Sequence, residues 1–444
     1  MPGTWTTQNK VVPGVYIRFG STQQSGLTAG ERGTVAICEP LTWGQPGQVV
    51  TIKAGEDVTP YVGYDITSPQ ARFLNEMFKG TNRTPGANTV LLYRPVAAGA
   101  TVASVTIGNL TATAAYVGSR GNSINVVILA DPDTNTMTVE TIVDGVIVDQ
   151  QANITNVSDL NNNAWVNWTG EGAVSASTGA SLVGGADGEV AASAYSSFLT
   201  AIEPYKFDVL CYDGSDATTI AAYINFIKRM NDENGVACQL VAAGMSNPDT
   251  RFCVNVMSGA TLDDDTELTS QQVTWWVAGA MAGASYNQSL TNAAYPGAVS
   301  TVNLARSALI AALNAGDLVL QSANGRVSIV QDINSLVTYT TDISEVYRYN
   351  KTMRLCSSIA NDLYNEFTDN YIGVVNNNAQ GRSMFKAAIV GYLLDIQGNE
   401  GIQNFDPEDV TVEPGEAINA IVVTIAVQPV GSVEKIYVTI MMDV

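Results

Sequence analysis

The sequence predicts a multidomain α/β plus β chain with extended β arms at its two ends. Three observations carry this: apolar strands alternating with amphipathic helices beyond residue 188, a run of short β segments before it, and a small-residue stretch at 170–188 (GEGAVSASTGASLVGGADG) between them. At roughly 150 residues per domain, the length suggests about three domains and ample core.

Residues 11–19 (VVPGVYIRF) read as a short strand with Pro13 and Gly14 near its start. Residues 20–33 (GSTQQSGLTAGERG) form a linker without apolar periodicity, able to reach roughly 45 Å when extended. The strand ahead of it need not pair within its own body. The body begins at 34–39 (TVAICE), a buried-type strand. A helix is expected over 68–79, with Ser68 as N-cap, Pro69 at the first helical position and Gly80 after it. Its apolar stripe is Phe73, Leu74, Met77 and Phe78. Short β runs then occupy 124–130, 137–143 and 146–150, with Asp144-Gly145 as a type I′ hairpin signal, so this region reads as a small antiparallel β domain.

Beyond 188 the expected order is helix 190–202, strand 207–212, helix 217–231, strands 236–242 and 252–257, and helix 270–284, which argues for a parallel sheet. Helix 303–314 is ended by Gly316 and followed by strands 318–321 and 326–330. Two helices, 344–368 and 378–396, precede two strongly β segments, 417–427 and 433–441. The turn-like QPVGS at 428–432 would join these as a terminal hairpin. The expected borders are 1–33 (arm and linker), 34–100 (first part of the inner body), 101–185 (β domain), 186–335 (α/β domain) and 336–444 (α+β domain with the hairpin arm).

Composition narrows function. The chain contains no histidine, which excludes Ser-His-Asp and Cys-His triads and histidine-bearing zinc sites. Net charge is −21, yet only 14% of residues are charged. A nucleic-acid binder or a peripheral membrane protein needs a basic footprint, so neither partner is expected, and no stretch has the length of a membrane span. The five cysteines lie far apart without a CxxC pair and read as buried free thiols. With no apolar signal region near residue 1, synthesis in a cytoplasm is expected.

The motif search yields no catalytic residues, no cofactor site and no metal site. Asp213 and Ser215 follow a strand end, where ligands gather in parallel sheets, but Ser215 is better read as the cap of the next helix. GxSxG, GxxxxGK and GxGxxG are absent. Asp131, Asp133 and Asn135 have calcium-loop spacing, yet Thr136 and Ile142 stand where Gly and Glu are required. Asp263, Asp264, Asp265 and Glu267 precede a helix whose dipole they complement. Trp275 and Trp276 share helical spacing with Val273, Val277 and Met281 and read as packing.

Charge is uneven: residues 1–100 carry +2, 101–220 carry −11 and 401–444 carry −6. Lys10, Arg18 and Arg32 near one end oppose Asp406, Glu408, Asp409, Glu413, Glu416 and Glu434 near the other. A tethered strand and a terminal hairpin with free edges are what strand exchange between copies requires. Such a head-to-tail contact propagates as a ring or helix.

The ending at 426–440 (AVQPVGSVEKIYVTI) resembles that of contractile phage tail sheath proteins, of the type found in myophages and in R-type bacteriocins of Gram-positive hosts. Also similar are Pro13-Gly14-Val15-Tyr16-Ile17, Arg32-Gly33-Thr34-Val35-Ala36 with Trp43-Gly44, Gly184-Gly185-Ala186-Asp187-Gly188, and Val330-Gln331-Asp332-Ile333-Asn334. The resemblance implies an outer β-sandwich, a subtilisin-like α/β domain without a triad, and a C-terminal α+β domain. Many copies would form a sleeve of hexameric rings around an inner tube protein, with a baseplate and a tail terminator as further partners in a virion or virion-like tail. Arm residues Val12, Val15, Tyr16, Ile17, Arg18 and Phe19 would meet Ile421, Val423, Ile425, Val427, Ile436, Val438 and Ile440 of a neighbour. Arg348, Lys351, Arg354, Arg382 and Lys386 are the candidates for tube contact. Two other classes compete: an extracellular surface-array protein, which needs a secretion signal, and a His-free α/β hydrolase-like enzyme using carboxylates.

Overall fold

The computed structural model describes residues 32–442, so the expected strand at 11–19 lies outside them. The chain divides into two compact units. One runs to Asn361 and resumes at Pro429; the other is Asp362–Gln428.

The first unit is built on a seven-stranded sheet in the order Asp317–Leu318, Cys253–Val256, Gln239–Ala243, Val209–Tyr212, Thr34–Cys38, Thr89–Tyr93, Val49–Lys53. All neighbours are parallel except the last pair. Alternation sorts the strands between two cores. Val35, Ile37, Val90, Leu92, Val209, Cys211, Val241 and Val254 face helices Arg72–Lys79 and Ser270–Gly283. Ala36, Cys38, Leu91, Tyr93, Leu210, Tyr212 and Leu240 face helices Ala192–Ile202 and Ala217–Asp232. The central strands are buried on both faces, as continuous apolar runs such as TVAIC require. Among the described residues no helix is long and apolar enough to cross a membrane.

Two antiparallel sheets make a β-sandwich. One holds Ser104–Ile107, Leu110–Ala114 and Val166–Gly170. The other has the order Ser177–Ser181, Ile124–Asp131, Thr136–Val143, Val146–Ile154. Leu110, Ala112, Ile124, Val126, Ile128, Val139 and Val166 fill it. Asp144 and Gly145 take φ of 51° and 81° between paired Val143 and Val146, the left-handed pair that a type I′ turn needs. Trp43, from the sheet body, inserts between Trp165 and Tyr116 at 4.8 and 5.3 Å. Arg120 donates to Gly63 O and forks onto the Asp144 carboxylate at 3.0 and 2.6 Å, with its guanidinium 4.1 Å from the Tyr64 ring centroid. The sandwich is thus locked to the body by one aromatic cluster and one arginine.

In the second unit Phe385, from helix Ala379–Gly398, stacks at 4.1 Å on Phe367, and Asn378 caps that helix on Gly381 N. Its Val410–Pro414 strand pairs antiparallel with Ile421–Ile425.

Three expectations need correction. Ser68 makes no side-chain cap; Pro69–Ala71 is a 3-10 turn and the α-helix begins at Arg72. The helix expected from 344 is a 3-10 turn at Glu345–Arg348 followed by the α-helix Asn350–Asn370. The hairpin formed by Ile421–Ile425 closes on Val410–Pro414, upstream, and not on 433–441.

Helices Arg72–Lys79 and Ser270–Gly283 cross at Gly279, where a Cβ would stand 2.0 Å from the Met77 carbonyl oxygen. Trp276 beside it donates to Gly80 O at 2.6 Å and stacks on Tyr295 at 4.0 Å, so neither helix can yield. Gly279→Ala should therefore destabilise the body by about 3 kcal/mol, read as a lowered urea midpoint.

Candidate functional site

From Val430 to Met442 the chain forms no strand. Val433, Ile436, Tyr437, Val438, Ile440, Met441 and Met442 are 74–90% exposed, in a segment whose Val-Ile-Tyr-Val-Thr-Ile composition is that of a strand. One side chain ties this strap down. Glu434 Oε1 accepts from Thr291 Oγ1 at 2.8 Å and its Oε2 from Gln331 Nε2 at 2.7 Å. The Thr291 hydroxyl meanwhile accepts from Asp332 N at 3.0 Å, so its proton is directed at Glu434. A cleft of about 490 Å³ lies between Pro429–Lys435 and Ser289, Asp332, Val346, Tyr349, Lys351 and Thr352.

Beneath the strap is a buried polar knot. Asp332, 1% exposed, accepts from Leu290 N at 2.9 Å, from Asn350 Nδ2 at 3.0 Å and from Arg354 Nη2 at 2.6 Å. Arg354 also donates to Gln288 O at 2.7 Å, and Asn350 accepts from Gln239 Nε2 at 3.1 Å. Both oxygens of the buried carboxylate meet donors and Arg354 supplies the counter-charge, the condition on which a buried carboxylate is tolerated.

Arg354 is therefore no tube contact: it is 1% exposed and spent on Asp332, a correction to the sequence expectation. Arg348 donates to Leu313 O and, at 3.1 Å, to Tyr339 OH. Lys386 lies 3.7 Å from Glu408, and Arg382 donates to Asn377 Oδ1 at 2.9 Å. Lys351 sits at the cleft rim. Arg32, counted with the basic arm, belongs to the body, 3.3 Å from Asp208. Ile421 and Val423 line a groove with Phe367, Tyr371 and Phe385 inside their own unit, while Ile425 and Val427 are half-buried and Ile436, Val438 and Ile440 stand in solvent. The arm residues Val12, Val15, Tyr16, Ile17, Arg18 and Phe19 lie outside the described residues. Sequence reasoning passed over Glu434, Thr291 and Gln331 as contacts. The signal was present, because two of the quoted motifs, QDIN at 331–334 and SVEK at 432–435, meet at the Glu434–Gln331 bond.

The sheet's carboxyl edge holds a second cluster. Glu39 and Asp213 end the adjacent strands Thr34–Cys38 and Val209–Tyr212. Trp275 Nε1 donates to Asp213 Oδ2 at 2.8 Å, while Glu39 Oε2 is buried with no donor facing it. Burial, then the Asp213 charge, then a hydrogen bond to Asp213 hold the Glu39 carboxyl well above the usual carboxylate range, so Glu39 is the proton donor of the pair. Burial also raises the Cys38 and Cys211 thiols beside it, the opposite of an activated nucleophile. Ser215 does not cap the following helix; Asp216 does, accepting from Thr219 N at 2.7 Å. Asp264 is engaged by Arg72 at 2.9 Å, which with Thr266 lowers its carboxyl to about 2.

Four family models match the chain in series. They are the tail sheath protein Gp18 domain III N-terminal region over 32–94, the phage tail sheath protein beta-sandwich domain over 96–187, the phage tail sheath protein central domain over 188–335 and the phage tail sheath C-terminal domain over 342–443. The phage-like element PBSX protein XkdK of Bacillus subtilis is 33% identical, covering 98% of each chain. A crystal structure of the sheath tail protein from Desulfitobacterium hafniense is similar at TM-score 0.84 and 38% identity, covering 97% of this chain and 100% of that one. The helical sheath of the anti-feeding prophage in its contracted state shares the fold at TM-score 0.57 and 12% identity, covering 98% of this chain and 100% of that one.

Two outcomes test this geometry. Arg354→Ala leaves Asp332 buried and uncompensated and should cost about 3–5 kcal/mol of stability by urea unfolding, with the loss located in the body. Glu39 keeps its proton when folded and gives it up in the unfolded chain at ordinary carboxylate pH. Its contribution is therefore intact below that range and is lost as pH rises from there towards the folded value. Glu39→Gln, still a donor to Asp213, should match the native urea midpoint near ~pH 4 and exceed it at ~pH 8.

Proposed function

This chain belongs to the phage tail sheath protein family and is a structural subunit of a contractile tail sheath, and we propose that its copies are joined by exchanging terminal strands. The observation that carries this reading is the strap itself: an alternating, strongly β segment left unpaired and exposed at the end of a folded body. An edge of that kind is an aggregation liability in a monomer and a docking site in a polymer. The arm segment 12–19 of one copy pairs with 436–440 of the next. Val12, Val15, Tyr16, Ile17 and Phe19 supply its apolar contacts and Arg18 its charge; Ile421, Val423, Ile425 and Val427, which belong to the other unit, are a separate candidate contact. With Arg32 held in the body, Lys10 and Arg18 carry the arm's attraction to the acidic closing segment.

Head-to-tail contacts of one kind repeat without closing on a dimer, so copies propagate as hexameric rings stacked into a sleeve around an inner tube. A baseplate starts the sleeve and a terminator ends it, and the particle is made in the host cytoplasm. The central sheet is a subtilisin-like frame used as scaffold: with no histidine in the chain it has no triad. Of the five basic candidates for tube contact, burial removes Arg354, and Arg348, Lys351, Arg382 and Lys386 remain in the proposal. On contraction the bodies move as nearly rigid pieces, hinged in the linker ahead of Arg32, and the free energy comes from surface buried between subunits; the connector before 417, expected as a second hinge, is the turn of the Val410–Pro414 and Ile421–Ile425 hairpin.

Deleting residues 1–19 should leave a folded, monomeric body that forms no long tubes by negative-stain electron microscopy. Tubes from the truncated chain would end the strand-exchange reading.

A further inference from the structure

We propose that Glu434 is a positioning residue that fastens the strap to the body and so fixes where, and in which direction, the exchange strand is offered. The proposal rests on the strand-exchange reading above but concerns a contact made within one chain. Between Val430 and Met442 every described side chain except Glu434 and Val430 is exposed. The sole carboxylate of the described strap meets two donors: Thr291, whose hydroxyl is oriented by the Asp332 N–H at 3.0 Å, and Gln331, the neighbour in sequence of buried Asp332. Hydrogen bonds to an ionised acceptor are roughly twice as strong as neutral ones. The contact joins the strap to the loop at 289–292 and to the segment at 331–334, which Asp332 binds to each other and to the helix that starts at Asn350.

The geometric consequence can be sized. Fastened at Glu434, the free tail to Met442 is about eight residues, roughly 26 Å when extended; fastened only at Pro429 it is about thirteen, roughly 43 Å. Shortening a flexible tether by that ratio raises the local concentration of its end about twofold, and the fixed exit direction adds to this. Load taken up by a neighbour on 436–440 then enters the body at the Asp332 knot, and the connector upstream of the strap is spared.

The test uses the full chain, as Glu434→Ala and Glu434→Gln, with Glu413→Ala as an exposed acidic control. Trypsin cleavage at Lys435 is followed before assembly, normalised to cleavage of a synthetic 425–442 peptide carrying the same substitution. Tube yield is counted by electron microscopy. Glu434→Ala should raise normalised cleavage about tenfold or more and lower tube yield, with the urea midpoint of the body unchanged. Glu434→Gln should recover much of both. Its amide oxygen accepts from Thr291 while its nitrogen donates to a flipped Gln331, restoring two neutral bonds. Native-like cleavage in Glu434→Ala overturns the fastening. Loosened cleavage with undiminished tubes overturns the positioning role. The arm deletion separates the readings: tubes without residues 1–19 remove strand exchange, whereas the cleavage result at Lys435 still decides whether Glu434 holds the strap.

Discussion

The Asp332 carboxylate, shut away from water, is the constraint on which the rest of the carboxy-terminal architecture depends. A buried charge is stable only when donors surround it, so the fold must bring Leu290 N from one loop and Asn350 and Arg354 from the start of one helix to the segment that carries Asp332. Once they are there, the backbone on either side is positioned too. Gln331 and Thr291 are thereby brought side by side at the surface, and the strap is seated on them. An interior electrostatic requirement thereby sets the path of an exterior segment that has almost no packing of its own.

What could be read from the sequence was whatever rests on local chemistry. Asp144-Gly145 demands positive φ and obtains it; Asn378 is a cap because its oxygen reaches Gly381 N; runs such as TVAIC and QLVAA alternate between two cores because parallel central strands have two covered faces. What could not be read were choices among equals. Residues 417–427 and 433–441 are both strongly β, with a Pro-Gly turn between them, yet the first pairs upstream with Val410–Pro414, a short segment flanked by acids that gives a weak strand signal. At the strand end near 213, Ser215 and Asp216 are both good caps, and a shift of one residue decides which oxygen reaches Thr219 N.

The misreading of Arg354 has the same origin. On a helix, Arg348, Lys351 and Arg354 recur every three residues and look like a single cationic ridge. The residue that draws Arg354 inward, Asp332, lies in a loop rather than on the same helix, so no helical pattern reveals it. Arg32 repeats the lesson, since Asp208, its partner, lies far along the chain. Each arginine leaves the surface together with its aspartate, so the exterior loses charged groups of both signs and its net charge is unaltered.

The unpaired strap has a further consequence for growth. Under the proposed strand exchange, each added subunit would consume one exposed strap and present an identical one, so the number of open straps at a tip would stay constant while the tube lengthens. The two tips would then be chemically different: one would display unpaired strand edge with its N–H and C=O groups, the other the arm. Such a polymer has built-in polarity and elongates by a single repeated step. Its length has to be set from outside, because nothing in the repeat itself distinguishes the hundredth addition from the first.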